Sequence, residues 1–106
     1  MKKIFHKKLA SKKWSQLSLA KQLANIGSEV SRAGKWQKRD RDIFMGVAER
    51  GLELFDITLK DVRWKSRLRE IARAREVFCD AILGGKEYQT SFKDLEKYFL
   101  YWGYLP

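Results

Sequence analysis

Between Ser15 and Leu83 apolar residues recur at intervals of three and four in successive segments, and no proline interrupts them; the only proline is Pro106. Such spacing gathers apolar side chains on one side of a helix of about 3.6 residues per turn. A backbone without proline also keeps its hydrogen-bond ladder intact. The segment from Asp61 to Leu83 is organised most strongly. Trp64, Leu68, Ile71, Phe78 and Ile82 form one stripe, while Arg63, Lys65, Arg67, Arg69 and Arg73 occupy the rest of the cylinder, opposed only by Glu70, Glu76 and Asp80. The pattern predicts one helix, capped by Asp61 and ended by Gly84-Gly85, that packs inward and presents cations outward. Arg75 falls on the apolar stripe, where an ionised side chain needs a partner. A buried pair with Glu29 or Glu53 is the expected solution; the alternative is a long stem reaching solvent or the central channel of an oligomer.

Three further helices follow from the same reasoning. Ser15 to Trp36 carries Leu19, Leu23, Ile26, Val30 and Ala33 in the heptad rhythm of a bundle seam. Beside it runs a stripe of small residues, Ala20, Ala24, Gly27 and Ser31, which predicts close approach of another helix, from the same chain or from a second subunit. After a short charged connection, Asp40 is placed to cap a second helix reaching about Leu59. That helix shows Ile43, Phe44, Val47, Ala48, Gly51, Leu54, Phe55 and Thr58 on one face, widened by Met45 and Leu52. Asp42, Glu49, Glu53 and Asp56 form an acidic stripe opposite, either solvated and paired within the chain or mated with basic residues of another copy. Ser91 and Asp94 resemble a capping box that opens a shorter fourth helix, with Phe92, Leu95, Phe99 and Trp102 on its inner side. Tyr101 and Tyr104 either close the end of the bundle or stack on bases. The fold class is therefore all-α, an antiparallel up-down four-helix bundle over residues 14–106, preceded by a basic arm over residues 1–13.

Charge narrows the function. The 106 residues include 23 Lys and Arg against 13 Asp and Glu, a net charge of +10, which calls for a polyanion or an acidic partner. The arm contributes Lys2, Lys3, Lys7, Lys8, Lys12 and Lys13, interrupted by Ile4, Phe5 and Leu9, so that it can meet phosphates or dock on the bundle. Lys35, Lys38, Arg39 and Arg41 cluster at the first helix connection. With Arg63, Lys65, Arg67, Arg69 and Arg73 these form the candidate nucleic-acid-binding set. Ala20, Ala24, Gly27, Glu49, Glu53 and Asp56 form the candidate oligomer interface.

Catalytic machinery is hard to assemble from this composition. His6 is the only histidine and Cys79 the only cysteine, so histidine pairs, two-histidine metal sites and paired thiols lack material. Cys79 is expected to be a small buried residue. No phosphate-cradling glycine loop is present. The expectation is a non-enzymatic protein without metal or cofactor. MKKIFHKKLA lacks the continuous apolar run of a signal peptide and no segment is apolar enough to span a bilayer, so a soluble cytoplasmic protein is expected.

The opening FHKKLA with KKWSQLSLAKQLANIGSEVSRAGKW, the RGLELFDITLKDVRW junction and the EYQTSFKDLEKYF tail together resemble the accessory (Avd) proteins of diversity-generating retroelements and the related ribosomal-RNA intervening-sequence proteins. The likeness spans about Phe5 to Phe99 and lies in helix pattern, size and charge. It implies a ring-like homo-oligomer, typically a pentamer, that binds a reverse transcriptase and its RNA, or an RNA/DNA hybrid, to support mutagenic copying. No functional residue of the family can be matched to a position here. The competing expectation is a basic interaction module that binds an acidic protein without nucleic acid.

Overall fold

The helix that carries the predicted Leu19–Ala33 seam begins after Ser18, whose side-chain oxygen accepts from the Lys21 amide at 3.2 Å. The computed structural model describes residues 13–103, with side chains described as far as Leu100. Within them lie α1 (Leu19–Trp36), α2 (Arg41–Leu59), α3 (Leu68–Ile82) and α4 (Phe92–Gly103), with a 3-10 segment, Val62–Arg67, between α2 and α3. No strand occurs among the described residues. α1 packs along both α2 and α4, and α2 packs along α3, in a molecule of radius of gyration 13.4 Å.

The predicted α1 seam is the core face: Leu19, Leu23, Ile26, Val30 and Ala33 are all buried. From α1 only half-buried Trp36 adds an aromatic ring at the edge of this core; the other three helices supply its buried phenylalanines. Phe44 and Phe55 from α2, Phe78 from α3, and Phe92 and Phe99 from α4 form a connected chain of rings with centroids 5.9 to 6.3 Å apart. Most of these contacts are edge-to-face, the arrangement favoured by the ring quadrupole. Glycines on α1 seat two of the rings. A methyl group built at Gly27 would lie 2.5 Å from Cβ of Phe99, and one at Gly34 would lie 2.9 Å from Cβ of Phe92. The small-residue stripe thus brings α4 against α1 within the chain.

The caps form largely as the sequence predicts. Asp40 accepts from the Ile43 amide at 3.1 Å. At the start of α4 the Asp94 amide donates to Ser91 Oγ at 3.1 Å and the Ser91 amide to Asp94 at 3.4 Å, a reciprocal capping box. α3 ends in a Schellman motif: the Gly85 amide donates to the Asp80 carbonyl at 2.7 Å and the Gly84 amide to the Ala81 carbonyl at 3.3 Å, with φ of 117° at Gly84 and 75° at Gly85.

Two helix boundaries differ from expectation. α1 begins at Leu19 rather than Ser15, because Trp14 folds back into the core with its indole N–H on Thr58 Oγ1 at 2.7 Å. The predicted helix from Asp61 to Leu83 is broken, and Trp64 (φ −102°, ψ 22°) is not helical. The cause is a buried amide. Gln22, with 0 % exposure, donates to the Trp14 carbonyl at 2.7 Å and accepts from the Trp64 indole at 2.8 Å. Trp64 therefore serves a polar contact at the end of the core, and a tight 3-10 segment replaces the first turns of the expected helix. Asp61 caps that segment, accepting from the Arg63 amide at 3.0 Å.

Candidate nucleic-acid interface

The connection between α1 and α2 is short because both helix ends close on themselves. The amides of Arg39 and Asp40 donate to the Trp36 carbonyl at 3.0 and 3.1 Å, and Asp40 at once caps α2. Lys35, Lys38, Arg39 and Arg41 are thereby confined to one corner, all exposed. None of the four is held in an ion pair within the described residues. Asp40 and Asp42 are the only carboxylates in that stretch, and the side chain of Asp40 is engaged by the helix it caps. Lys13 is exposed at the beginning of the described chain, whereas Lys2, Lys3, Lys7, Lys8 and Lys12 lie outside it. The side chains of Trp102, Tyr101 and Tyr104 also lie outside it.

The cationic face predicted for the third helix is different in character. Arg63 wraps Asp61, with Nη2 2.6 Å from Oδ2, and its guanidinium lies 4.4 Å from the Trp64 ring centroid. This hydrogen bonding holds the Asp61 carboxyl below its ordinary value, against the opposing effect of its burial, and raises Arg63. Arg67 meets Glu70 at 2.6 Å, and Arg73 lies 3.9 Å from Glu76 and 5.7 Å from the Tyr88 ring centroid. The Tyr88 hydroxyl donates to Glu76 at 2.9 Å, and stabilisation of its neutral form pushes the phenol above its usual range. Lys65 and Arg69 are exposed and make no ion pair within the described residues. The outer face is thus three paired arginines and two open cations. Asp80 is not on it at all: 8 % exposed, it accepts from the Glu87 and Tyr88 amides at 3.0 and 2.9 Å and fixes the loop before α4.

Arg75 also finds a different partner from those expected. Its Nε donates to Asp56 at 2.9 Å, in a pair whose side chains are 32 % and 51 % exposed, so the contact is superficial rather than buried. Glu29 instead meets Arg32 at 3.3 Å, and Glu53 is exposed. Cys79 is half-buried, its Sγ 3.6 Å from Nη1 of Arg75.

Of the residues assigned to an oligomer interface, Gly27 is occupied by Phe99 of the same chain and Asp56 is paired with Arg75. Glu49 and Glu53 are exposed, Ala20 is half-buried, and half-buried Ala24 lines a groove with exposed Leu100.

The structure adds a cluster that the sequence did not reveal. Arg32 and Lys35 near the end of α1 share a cleft of about 570 Å³ with Lys93 in the first turn of α4. The signal available in the sequence was Lys93 itself: a cation at the positive end of a helix opposes the dipole and does not serve the helix.

Among the described residues no group of three or more His, Cys, Asp or Glu side chains is placed to hold a metal ion, and no helix is long and apolar enough to cross a membrane. The fold and this surface define a small, basic, all-helical bundle. Comparison with protein-family models, with characterised proteins and with solved structures finds no match.

Proposed function

We propose that this chain is a non-catalytic nucleic-acid-binding accessory protein. In this reading the helices form an antiparallel up-down bundle that assembles into a ring-like homo-oligomer, a pentamer, and the assembly holds RNA or an RNA/DNA hybrid together with a reverse transcriptase in the cytoplasm. The resemblance to retroelement accessory proteins suggests the partner. The observation that carries the reading is the α1–α2 corner, where Lys35, Lys38, Arg39 and Arg41 are crowded into one turn, exposed and without ion pairs in the described chain. Cations that contribute to stability usually have carboxylates beside them, as Arg67 and Arg73 do here; a corner of unpaired ones suits a ligand that brings its own negative charge. Contacts of this type hold a phosphate backbone without reading its sequence.

The test is copurification of tagged protein from its host, with and without nuclease. Recovery of a reverse transcriptase and a discrete structured RNA supports the proposal. Recovery of an acidic protein without RNA, indifferent to nuclease, overturns it. Changing Lys38, Arg39 and Arg41 to Gln should in addition lower the slope of log affinity against log salt by about 2, at about 0.7 per single-strand phosphate lost.

A further inference from the structure

We propose that the cleft between the end of α1 and the start of α4 seats a backbone phosphate of a bound RNA strand. This deepens the nucleic-acid-binding reading above and rests on it. Arg32, Lys35 and Lys93 line the cleft with Ser31, Glu96 and the ring of Phe92. Three cations line it with one carboxylate, Glu96, while a second, Glu29, pairs with Arg32; the cations come from two helices held in fixed relation by the packing of Phe92 on Gly34. Cations brought from two helices to one shallow groove add their positive potential over it.

The individual side chains are free to act. Lys35 and Lys93 are exposed and make no ion pair within the described residues, and Ser31 is exposed with a hydroxyl able to donate. Arg32 uses Nη1 toward Glu29, at a long 3.3 Å, with its side chain 53 % exposed, and so retains donors on the other guanidinium nitrogens. Lys93 is placed against the preference of its own helix. It stands in the first turn of α4, where the dipole favours anions, and Asp94 beside it is committed to the capping box. A phosphate in the cleft satisfies Lys93, Arg32 and the positive end of α4 together. Phosphate is favoured over a carboxylate of an acidic protein because a tetrahedral group with several acceptor oxygens can engage donors from both walls at once. Lys35 belongs to both the cleft and the α1–α2 corner, so one strand can run from one to the other.

The experiment uses the full chain and a 5′-fluorescein oligo-uridine of about 20 nucleotides, followed by anisotropy across a salt series. The double variant Arg32→Gln, Lys93→Gln should bind at least about fivefold more weakly, with the salt slope reduced by about 0.7. Lys60→Gln with Lys86→Gln removes the same charge from exposed positions outside the cleft and should change affinity less than about twofold. The exchange Arg32→Lys, Lys93→Arg should retain binding with an unaltered melting curve. If the wild type binds while the cleft variant matches it, or both neutralised pairs lose equally, the cleft assignment is overturned and the nucleic-acid reading survives. Loss of binding in the charge-conserving variant also overturns the cleft. No salt-dependent binding by the wild type, or preference for poly-glutamate over the RNA, overturns both.

Discussion

Gln22 carries more of the architecture than any charged residue. Its amide joins the turn before α1 to the 3-10 segment and has a longer contact, 3.4 Å, with Asp61. Truncation leaves the Trp64 indole N–H without its acceptor, a loss of about 1–3 kcal/mol, while the Trp14 carbonyl keeps the Leu17 amide at 3.0 Å. Gln22→Ala should therefore lower the urea-unfolding free energy by about 1–3 kcal/mol. A change below about 0.5 kcal/mol would mean that water replaces the amide without loss. Two glycines offer a test of sign. In Gly27→Ala the new methyl meets Phe99, and overpacking of about 1–3 kcal/mol should outweigh the helix-propensity gain. Gly46 lies inside α2 with nothing within 4 Å of a built methyl, so Gly46→Ala should stabilise by about 0.5–1 kcal/mol in the same titration. Equal shifts in the two variants would contradict the close α1–α4 approach.

At the scale of elements, spacing located α1 to α4 and most of their caps, because a cap lies within about three residues of the group it satisfies. The same logic failed over Val62–Arg67. Periodicity assigns Trp64 to a helical stripe, but its partner is Gln22, 42 positions earlier, and no local pattern contains that bond. The Asp61–Arg63 clasp in this segment predicts a response to acid. A carboxyl held below 3.8 in the folded chain binds its proton more readily when unfolded, so its contribution is complete well above that value and is lost as pH falls through the folded-state value. Urea midpoints measured from about pH 5 to about pH 2 should fall less steeply for Asp61→Asn than for the wild type. Parallel curves would show that the clasp does not stabilise the fold.

For the whole molecule, charge is distributed unevenly by use. Arg63, Arg67, Arg73 and Arg75 are tied to carboxylates, while the cations at the α1–α2 corner and Lys93 are not. Leu100 is 59 % exposed in the groove that also contains Ala24. In the proposed ring this groove is covered by a neighbouring subunit, which predicts several-fold the monomer mass in sedimentation velocity and a shift toward monomer for Leu100→Glu. A wild-type chain that sediments as a monomer at micromolar concentration would remove the ring from the proposal.

The sequence by itself determined the helical class, the buried seam of α1, the charged α1–α2 corner and the glycine stop after α3. Each follows from spacings of a few residues and from the absence of an internal proline. On the other helices it located the buried phenylalanines, but Ile43 is exposed, and Ala74 and Ala81 complete the buried face of α3 where Leu68 and Ile82 were expected. Tertiary structure alone decided that Gln22 is buried, that Arg75 meets Asp56 rather than Glu29 or Glu53, and that Arg32, Lys35 and Lys93 face one cleft. Those outcomes depend on how each helix is rotated and where it crosses its neighbours. On α1 the rotation is set by phenylalanines seated on glycines, and a one-turn shift of α4 would carry Lys93 away from Lys35 while leaving every local pattern in the sequence unchanged.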